Sequence, residues 1–198
     1  MRAYHVTPAK HSARKALRQS LIARREALPA AQRLALSIQI CGHLLGLLAV
    51  LKPSRLGFCW PYRAEPDILP AIEQWLADAA GREAALPVVP DQAGVLAFHR
   101  WVPGARMQYD RFGIPQPVER FELCPDLILV PVNGFDAQGY RIGYGGGFFD
   151  RTLASLGPQT HTVGVGFELA RLDSVQPEVH DLPLDWILTE AGYQPTRT

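Results

Sequence analysis

The stretch DLILVPVNGFDAQGYRIGYGGGFFDR, residues 126–151, decides the fold of this chain. Its first seven residues, 126–132, are almost entirely apolar, which predicts a central parallel strand that is buried on both faces. Four glycines follow within five positions, at Gly143, Gly145, Gly146 and Gly147. Each glycine costs backbone entropy on folding, so this density predicts close approach of backbone N–H groups to a ligand.

A short helix is predicted directly after the glycines, as far as about Leu156. Strand, glycine-rich turn and helix start together outline a phosphate cradle. The spacing is neither a Walker A motif, which needs Gly-Lys-Ser/Thr, nor the dinucleotide fingerprint, because its last glycine is replaced by Phe148. Arg141 and Arg151 flank the glycines and could bind phosphate oxygens. Asp150 could hold Mg²⁺ or form a salt bridge with its neighbours.

Helices alternate with short apolar runs in the rest of the chain. Two N-terminal helices are predicted within about 8–51, and the second has a predicted buried stripe at Leu34, Ile38, Cys41, Leu45 and Leu48. A third helix is predicted between about 66 and 81. Further strands are predicted at 55–60, 85–90, 95–101, 162–167 and 186–189, while 111–117 reads as an irregular connector and 192–198 as a tail.

This alternation predicts one α/β domain over residues 1–198, with the helical pair packed on the sheet. The expected architecture is a three-layer α/β/α sandwich with a mostly parallel, Rossmann-like open sheet. One antiparallel hairpin is expected, between 85–90 and 95–101.

Composition is that of an ordinary globular protein, and its charge does not favour nucleic acid or an anionic membrane as a partner. The chain has 198 residues, 47% of them hydrophobic, and a net charge of +1, so no bulk field favours nucleic acid or an anionic membrane. Three cysteines without metal-ligand spacing fit a reducing compartment. The most apolar segment, 40–51, is too short to span a bilayer. We therefore expect a cytoplasmic monomer that binds a small molecule.

No Ser-His-Asp, Cys-His or His-Glu-x-x-His constellation is present in the sequence. This favours chemistry done by positioning and charge neutralisation, of which phosphoryl transfer is an example. Lys10, Arg14 and Arg18 recur every four residues on one helix face, which is typical of a solvated basic face. Glu65 follows a strand, where ligands bind in open α/β sheets, but it could equally cap the next helix. The residues themselves indicate a nucleotide- or phosphate-binding α/β enzyme.

The run GYRIGYGGGFFDR at 139–151 closely resembles the signature of the 5-formyltetrahydrofolate cyclo-ligase family. Four further segments resemble that family in the same order: RKALR at 14–18, FCWPYRAEPD at 58–67, FGIPQP at 112–117 and HDLPLDWILTE at 180–190. The resemblance implies ATP- and Mg²⁺-dependent cyclisation of 5-formyltetrahydrofolate to 5,10-methenyltetrahydrofolate through a phosphorylated formyl intermediate, with release of ADP and phosphate.

The resemblance also implies roles for individual residues. The catalytic residues would be Arg18, Arg141 and Tyr144. The ATP-binding residues would be Arg14, Arg18, Arg141, Ile142, Gly143, Tyr144, Gly145, Gly146, Gly147, Phe148 and Phe149. The reduced folate would contact Trp60, Glu65, Tyr144, Gly145, Gly146, Gly147 and Phe148. The Mg²⁺ ligands would be Asp150 and Asp185.

Three residues depart from the family pattern, which leaves room for a paralogue, and a binding module is a separate alternative. Arg14 stands where lysine is usual, and Phe148 and Phe149 stand where many members have two tyrosines. A paralogue acting on another amide-like or thiamine-related substrate is one alternative. A non-catalytic nucleotide- or folate-binding module is the other. Nucleic-acid binding is the weakest hypothesis, because the only basic stripe is one helix.

Overall fold

The computed structural model describes residues 8–90, 92, 94–157 and 159–196, with side chains from residue 12 onward. Residues 1–7, the side chain of Lys10 and the last two residues of the predicted tail lie outside the described residues. The helices are α1 (Pro8–Glu26), α2 (Ala30–Leu51), α3 (Leu69–Asp78) and α4 (Phe148–Ser155). A short 3₁₀ helix spans Glu168–Ala170.

Eleven strands are formed by the described residues, and seven of them build one sheet. They are β1 (Arg55–Gly57), β2 (Glu83–Val88), β3 (Ala97–Trp101), β4 (Met107–Tyr109), β5 (Pro115–Pro117), β6 (Leu127–Pro131), β7 (Gly134–Phe135), β8 (Arg141–Ile142), β9 (His161–Val165), β10 (Trp186–Thr189) and β11 (Gly192–Pro195). The order in the large sheet is β11-β10-β9-β6-β1-β2-β3.

Strand β6 lies at the centre of this sheet, as its apolar sequence predicts. It pairs in parallel with β1 on one side and β9 on the other. Leu127 and Leu129 pack into the core cluster shared with α2 and α3, whereas Ile128 and Val130 pack into the opposite cluster, which α4 covers. Both faces of the sheet are therefore buried under helices, and the predicted α/β class with a mostly parallel sheet is confirmed.

The structure contains more antiparallel pairs than the single hairpin predicted. The expected hairpin is present as β2–β3, and β4–β5, β7–β8 and β10–β11 are also antiparallel. Residues 111–117, predicted to be irregular, contribute β5. Pro115 and Pro117 are compatible with this strand because their backbone nitrogens, which carry no hydrogen, lie on the side that does not pair with β4. The neighbouring Val118 N–H donates to the Arg106 carbonyl oxygen.

The predicted C-terminal tail is wrong for residues 192–195, which form the edge strand β11. Leu188 of β10 lies opposite Tyr193 in the antiparallel register. The Tyr193 ring packs edge-on against Trp186 with centroids 6.2 Å apart, and it covers Gly46 on α2. The sequence of this short polar stretch predicts a tail because it contains no strand signal of its own. Its pairing partner and its packing surface come from other parts of the chain.

The predicted buried stripe of α2 is confirmed at Leu48 and wrong at Leu34 and Ile38, while Cys41 and Leu45 are partly buried against the core cluster. Leu34 and Ile38 are each 63% exposed. The buried residues of this helix are Ser37, Ile40, Leu44, Leu47 and Leu48. Because α2 is apolar on more than one side, its sequence accommodates two stripes, and contact with the sheet selects one of them.

Helix α2 is also longer than segment 40–51, which the sequence analysis judged too short to span a membrane. Among the described residues it is the one helix that is long and apolar enough to cross a membrane by length and composition. Its buried face belongs to the core cluster around β6. The core helix of a folded domain passes the same test of length and composition.

Candidate active site

The glycine loop between β8 and α4 adopts the backbone conformations that its composition predicts. Gly145 has φ +91° and Gly147, the N-cap of α4, has φ +65°. Both lie in the left-handed region that side chains disfavour. Arg18 of α1 lies against this loop: its Nε donates to the Gly143 carbonyl oxygen at 2.7 Å. A Cβ at Gly145 would come within 2.8 Å of the Arg18 guanidinium.

Arg14, one helical turn earlier, lies beside the same loop. Its Nη2 donates to the Arg141 carbonyl oxygen at 3.4 Å and forms a salt bridge of 2.8 Å with Asp181. Its Nη1 is buried and has no hydrogen-bond partner within the described part of the chain. Burial lowers the pKa of Arg18, and the neighbouring Arg14 charge adds to this effect. Two cations near each other with a spare donor form a surface suited to an anion.

Arg141 is buried and directs its guanidinium at protein groups. Its Nη2 donates to Asp150 Oδ1 at 2.6 Å and its Nη1 donates to the Leu182 carbonyl oxygen at 2.9 Å. Burial lowers the pKa of Arg141, and the Asp150 carboxylate opposes that shift. The pair joins the glycine loop to the segment before β10.

The two predicted metal ligands, Asp150 and Asp185, form hydrogen bonds with different parts of the chain. Asp185 Oδ2 accepts hydrogen bonds from the backbone N–H and the hydroxyl of Thr162, both at 2.8 Å. Asp150 is held by Arg141. The described ranges contain no group of three or more histidine, cysteine or acidic side chains placed to hold a metal ion.

Glu65 is turned inward by a strained loop. Arg63 and Ala64 have φ of +48° and +59°, unusual for residues other than glycine. Glu65 Oε1 accepts a hydrogen bond of 2.5 Å from the Tyr144 hydroxyl, and Oε2 accepts one of 3.0 Å from the Tyr62 N–H. Burial raises the pKa of Glu65, although the Tyr144 hydrogen bond and the charge of Arg25 oppose this. Burial also raises the pKa of Tyr144, so its hydroxyl keeps its proton.

Arg25 contacts this cluster, and the sequence analysis did not assign it to the site. Its position near the end of α1 is explained by the helix dipole alone. In the structure it is 4% exposed. Its Nε donates to the Arg63 carbonyl oxygen at 3.0 Å, its Nη1 to Asn133 Oδ1 at 2.9 Å and its Nη2 to the Tyr144 hydroxyl at 2.9 Å. The seven-residue spacing from Arg18 was the available signal, because it places both residues on one face of α1.

The aromatic residues assigned to ligand binding lie on two sides of the sheet. Trp60 packs edge-on against Trp101 with centroids 6.3 Å apart, at the border of the cluster under α2 and α3. Phe148 and Phe149 pack against the opposite cluster. The Arg151 guanidinium lies 5.0 Å from the Phe148 ring centroid. A pocket at the carboxyl ends of β1, β6 and β9 is lined by Cys59, Pro61, Glu65, Pro66, Ile68, Leu129, Pro131 and Val165.

The structure thus brings together most of the residues singled out in the sequence. Arg14 and Arg18 contact the loop 141–147, and Tyr144 of that loop contacts Glu65. The Asp185 carboxylate, in contrast, accepts hydrogen bonds from Thr162 and not from the glycine loop.

A family model described as the 5-formyltetrahydrofolate cyclo-ligase family matches residues 10–190. The chain belongs to this family. Among its relatives, the 5-formyltetrahydrofolate cyclo-ligase of Escherichia coli K12 is 30% identical over 174 residues, covering 84% of this chain and 94% of that protein. The 5-formyltetrahydrofolate cyclo-ligase of Mycolicibacterium smegmatis is 30% identical over 184 residues, covering 87% and 91%.

A solved structure supports the same relationship. The chain superposes on the 5,10-methenyltetrahydrofolate synthetase of Aquifex aeolicus with a TM-score of 0.80 and 27% identity, covering 93% of each chain. The family membership expected from 139–151 is therefore confirmed, and this 5-formyltetrahydrofolate cyclo-ligase family member is an enzyme of the ligase class. The roles of its individual residues stay predictions.

Proposed function

We propose that this ligase converts 5-formyltetrahydrofolate to 5,10-methenyltetrahydrofolate and consumes ATP in doing so. The observation that carries the proposal is the placement of Arg14, Arg18 and Arg25 on one face of α1. The first two contact the glycine loop, and the third contacts both Tyr144 and, at 3.8 Å, Glu65. One helix therefore joins a surface suited to phosphate with a surface suited to the N–H groups of a pterin.

The residues present fit a triphosphate. The buried Nη1 of Arg14 has no partner among the described residues, and an anion would supply one. Around Gly143 a Cβ would meet nothing within 4 Å, which leaves the backbone open to a bound group. Arg18 holds its charge directly over the loop at Gly145. Arginine suits this role because its planar donors match phosphate oxygens.

The proposed reaction divides one difficult step into two. A formamide oxygen is a poor leaving group, so the γ-phosphoryl of ATP is transferred to the formyl oxygen, which releases ADP. The folate N10 then attacks the activated carbon within the same molecule, N10 releases its proton, and phosphate leaves as the ring closes. The chain itself binds both ligands, neutralises charge and excludes water from the intermediate. Within this scheme Tyr144 and Glu65 orient the pterin, while Arg18 and Arg141 stabilise the loop that holds the phosphates.

A magnesium ion would be held chiefly by the phosphates of ATP, since this cation usually takes only one or two protein carboxylates. Asp150 is the residue we propose for that contact. Its present partner, Arg141, holds it beside the glycine loop. Because the Asp185 carboxylate already accepts two hydrogen bonds from Thr162, we propose a structural role for it, and its role as a metal ligand is an untested prediction. When bound, magnesium neutralises phosphate charge.

The test is the reaction itself. Purified protein with Mg-ATP and 5-formyltetrahydrofolate should form the methenyl product, followed by its absorbance, and should release ADP only when the folate is present. Intact ATP binding without product would contradict the proposal. A binding module would bind both ligands without releasing ADP. Comparison of turnover on several formylated amines identifies a paralogue with another substrate.

We also propose that the enzyme works as a cytoplasmic monomer. The near-neutral net charge of +1 supports a small-molecule substrate over nucleic acid or membrane. Sedimentation of the purified protein at several concentrations measures the oligomeric state.

A further inference from the structure

Asn133, the only asparagine of the chain, lies two residues beyond the end of the central strand β6. This is the edge of the sheet at which open α/β folds bind ligands. The residue is 2% exposed. Its backbone N–H donates to the Ile142 carbonyl oxygen at 2.9 Å, which fixes the main chain. Its side-chain NH₂ group is buried and has no hydrogen-bond partner within the described ranges.

The orientation of this amide is decided by Arg25. The guanidinium of Arg25 can only donate, so the group that faces it at 2.9 Å must be the amide oxygen of Asn133. Rotating the amide would place donor against donor. The NH₂ group is therefore held away from Arg25 with both of its N–H bonds unused. A buried donor without a partner costs stability, and such a group needs an explanation.

The same guanidinium organises the other two polar groups of the site. Arg25 Nη2 donates to the Tyr144 hydroxyl at 2.9 Å and lies 3.8 Å from Glu65 Oε1. Glu65 can only accept when it is ionised, and each of its oxygens has capacity beyond the one hydrogen bond that it receives from Tyr144 or Tyr62. Arg25 thus links the two acceptor oxygens of Glu65 and the unused amide donor of Asn133 in one cluster.

We propose that the side-chain NH₂ of Asn133 is a specificity determinant that donates to the C4 carbonyl oxygen of the pterin ring, beside Glu65. This inference rests on the proposed function. A 4-oxo pterin presents two donors, the 2-amino group and N3–H, followed by one acceptor, the C4 carbonyl. Glu65 and Asn133 offer the complementary set of two acceptors and one donor. A ring with an amino group at C4 would place its own donor against the Asn133 donor.

The deciding variant is Asn133→Asp. It preserves the side-chain size and the oxygen that accepts from Arg25, but it replaces the NH₂ donor with an acceptor. We expect the wild-type chain to prefer 5-formyltetrahydrofolate over its 4-amino-4-deoxy analogue. In the variant, the dissociation constant for the 4-oxo ligand should rise about tenfold or more, because its C4 carbonyl would face an acceptor and lose its hydrogen bond. The preference should shift toward the 4-amino ligand, because a site built to hydrogen-bond one group rejects an analogue that leaves it unpaired. Calorimetry without ATP measures both constants.

Controls separate this inference from simpler explanations. The exposed Gln39→Glu substitution makes the same chemical change on α2 and should leave both constants unaltered. ATP affinity should be unchanged in both variants. An unchanged ligand preference in Asn133→Asp would overturn the inference, because the amide would then serve only a water molecule.

The wild-type chain provides a second test that needs no folded variant. Equal binding of the two pteridines by the wild-type chain would overturn the inference. Failure of that chain to bind either pteridine would contradict the proposed function itself.

Discussion

Arg25 illustrates how much of this site depends on single residues. One guanidinium contacts the Glu65 loop, Asn133 after β6 and Tyr144 of the glycine loop. A lysine could not reproduce this fork of donors. Because Arg25 and Glu65 are both buried, removing either one would leave an uncompensated charge, which costs more than the pair itself contributes.

Substitution to asparagine should have different effects on turnover at the two aspartates assigned to magnesium, Asp150 and Asp185. Asp150→Asn should lower turnover about 100-fold and raise the magnesium concentration required, because the carboxylate charge near the phosphates is lost while an oxygen remains to accept from Arg141. Asp185→Asn should keep turnover within about threefold, since its oxygen can still bind Thr162. Turnover measured across a magnesium titration checks both. Equal effects of the two variants would support two metal ligands.

Glu65 should make stability depend on pH in a defined direction. Burial raises its pKa, so the folded chain holds this proton more tightly than the unfolded chain does. Its contribution to stability is therefore full below the ordinary glutamate pKa of about 4.3 and is lost as the pH rises through the raised value. The unfolding free energy of the wild-type chain minus that of Glu65→Gln should fall with rising pH over this window.

Denaturant unfolding at a series of pH values measures this difference. The exposed Glu73→Gln substitution on α3 serves as the control for removing one negative charge. A difference that rises with pH would show that Tyr144 and Arg25 stabilise the carboxylate more than burial disfavours it.

At the level of elements, the glycine loop and α1 form one unit. The loop has no large side chains of its own before Phe148 other than Tyr144, and the arginines of α1 supply its charge. This arrangement explains why the basic stripe at Arg14 and Arg18, which reads as a solvated face, is partly buried. Sequence periodicity shows which residues share a helix face, but the surface facing them comes from residues more than 100 positions away.

Gly145→Ala should disrupt this unit. The new Cβ would require φ +91° and would come within 2.8 Å of Arg18 Nη1, so Arg18 must leave the loop. We expect ATP affinity to fall about tenfold to 100-fold, the loss of a charge-assisted contact of about 1.5–3 kcal/mol. Calorimetric titration with ATP checks this.

Gly42→Ala is the matched control for that substitution. Gly42 lies in the interior of α2, where a Cβ meets nothing within 4 Å. This variant should gain about 0.5–1 kcal/mol of stability and bind ATP normally. Unchanged ATP affinity in Gly145→Ala would contradict the role given to the loop.

At the scale of the whole molecule, the edge strand β11 completes the sheet beside β10 and contacts α2. Its removal by a stop after Ala191 would expose β10, uncover Gly46 beneath Tyr193 and delete the hydrogen bond of 2.9 Å from the Thr196 N–H to the Asp185 carbonyl oxygen. We expect a loss of at least about 2 kcal/mol, which corresponds to about 4–8 °C in Tm for a chain of this size.

Thermal unfolding measures this loss, and removal of only the last two residues is the control. A truncated chain with the wild-type Tm would show that residues 192–196 behave as the tail that their sequence predicts.

The sequence by itself determined the α/β class, the central strand β6, the β2–β3 hairpin and the family. These features depend on local composition, on short-range pairing and on a contiguous run of glycines, all of which can be read along the chain. Through the resemblance at 14–18, 58–67 and 139–151, it also predicted that Arg14, Arg18, Glu65 and Tyr144 belong to one site.

Only the tertiary structure decided the buried face of α2, the pairing of β11 and β5, and the roles of Arg25 and Asn133. Each of these depends on which distant surface a segment meets, and several surfaces fit the same local pattern. In the sequence, an arginine at position 25 is equally consistent with a favourable charge at the end of a helix and with a place in a buried hydrogen-bond network. The choice between them is made by desolvation, because a guanidinium enclosed by Arg63, Asn133 and Tyr144 must use every donor that it buries.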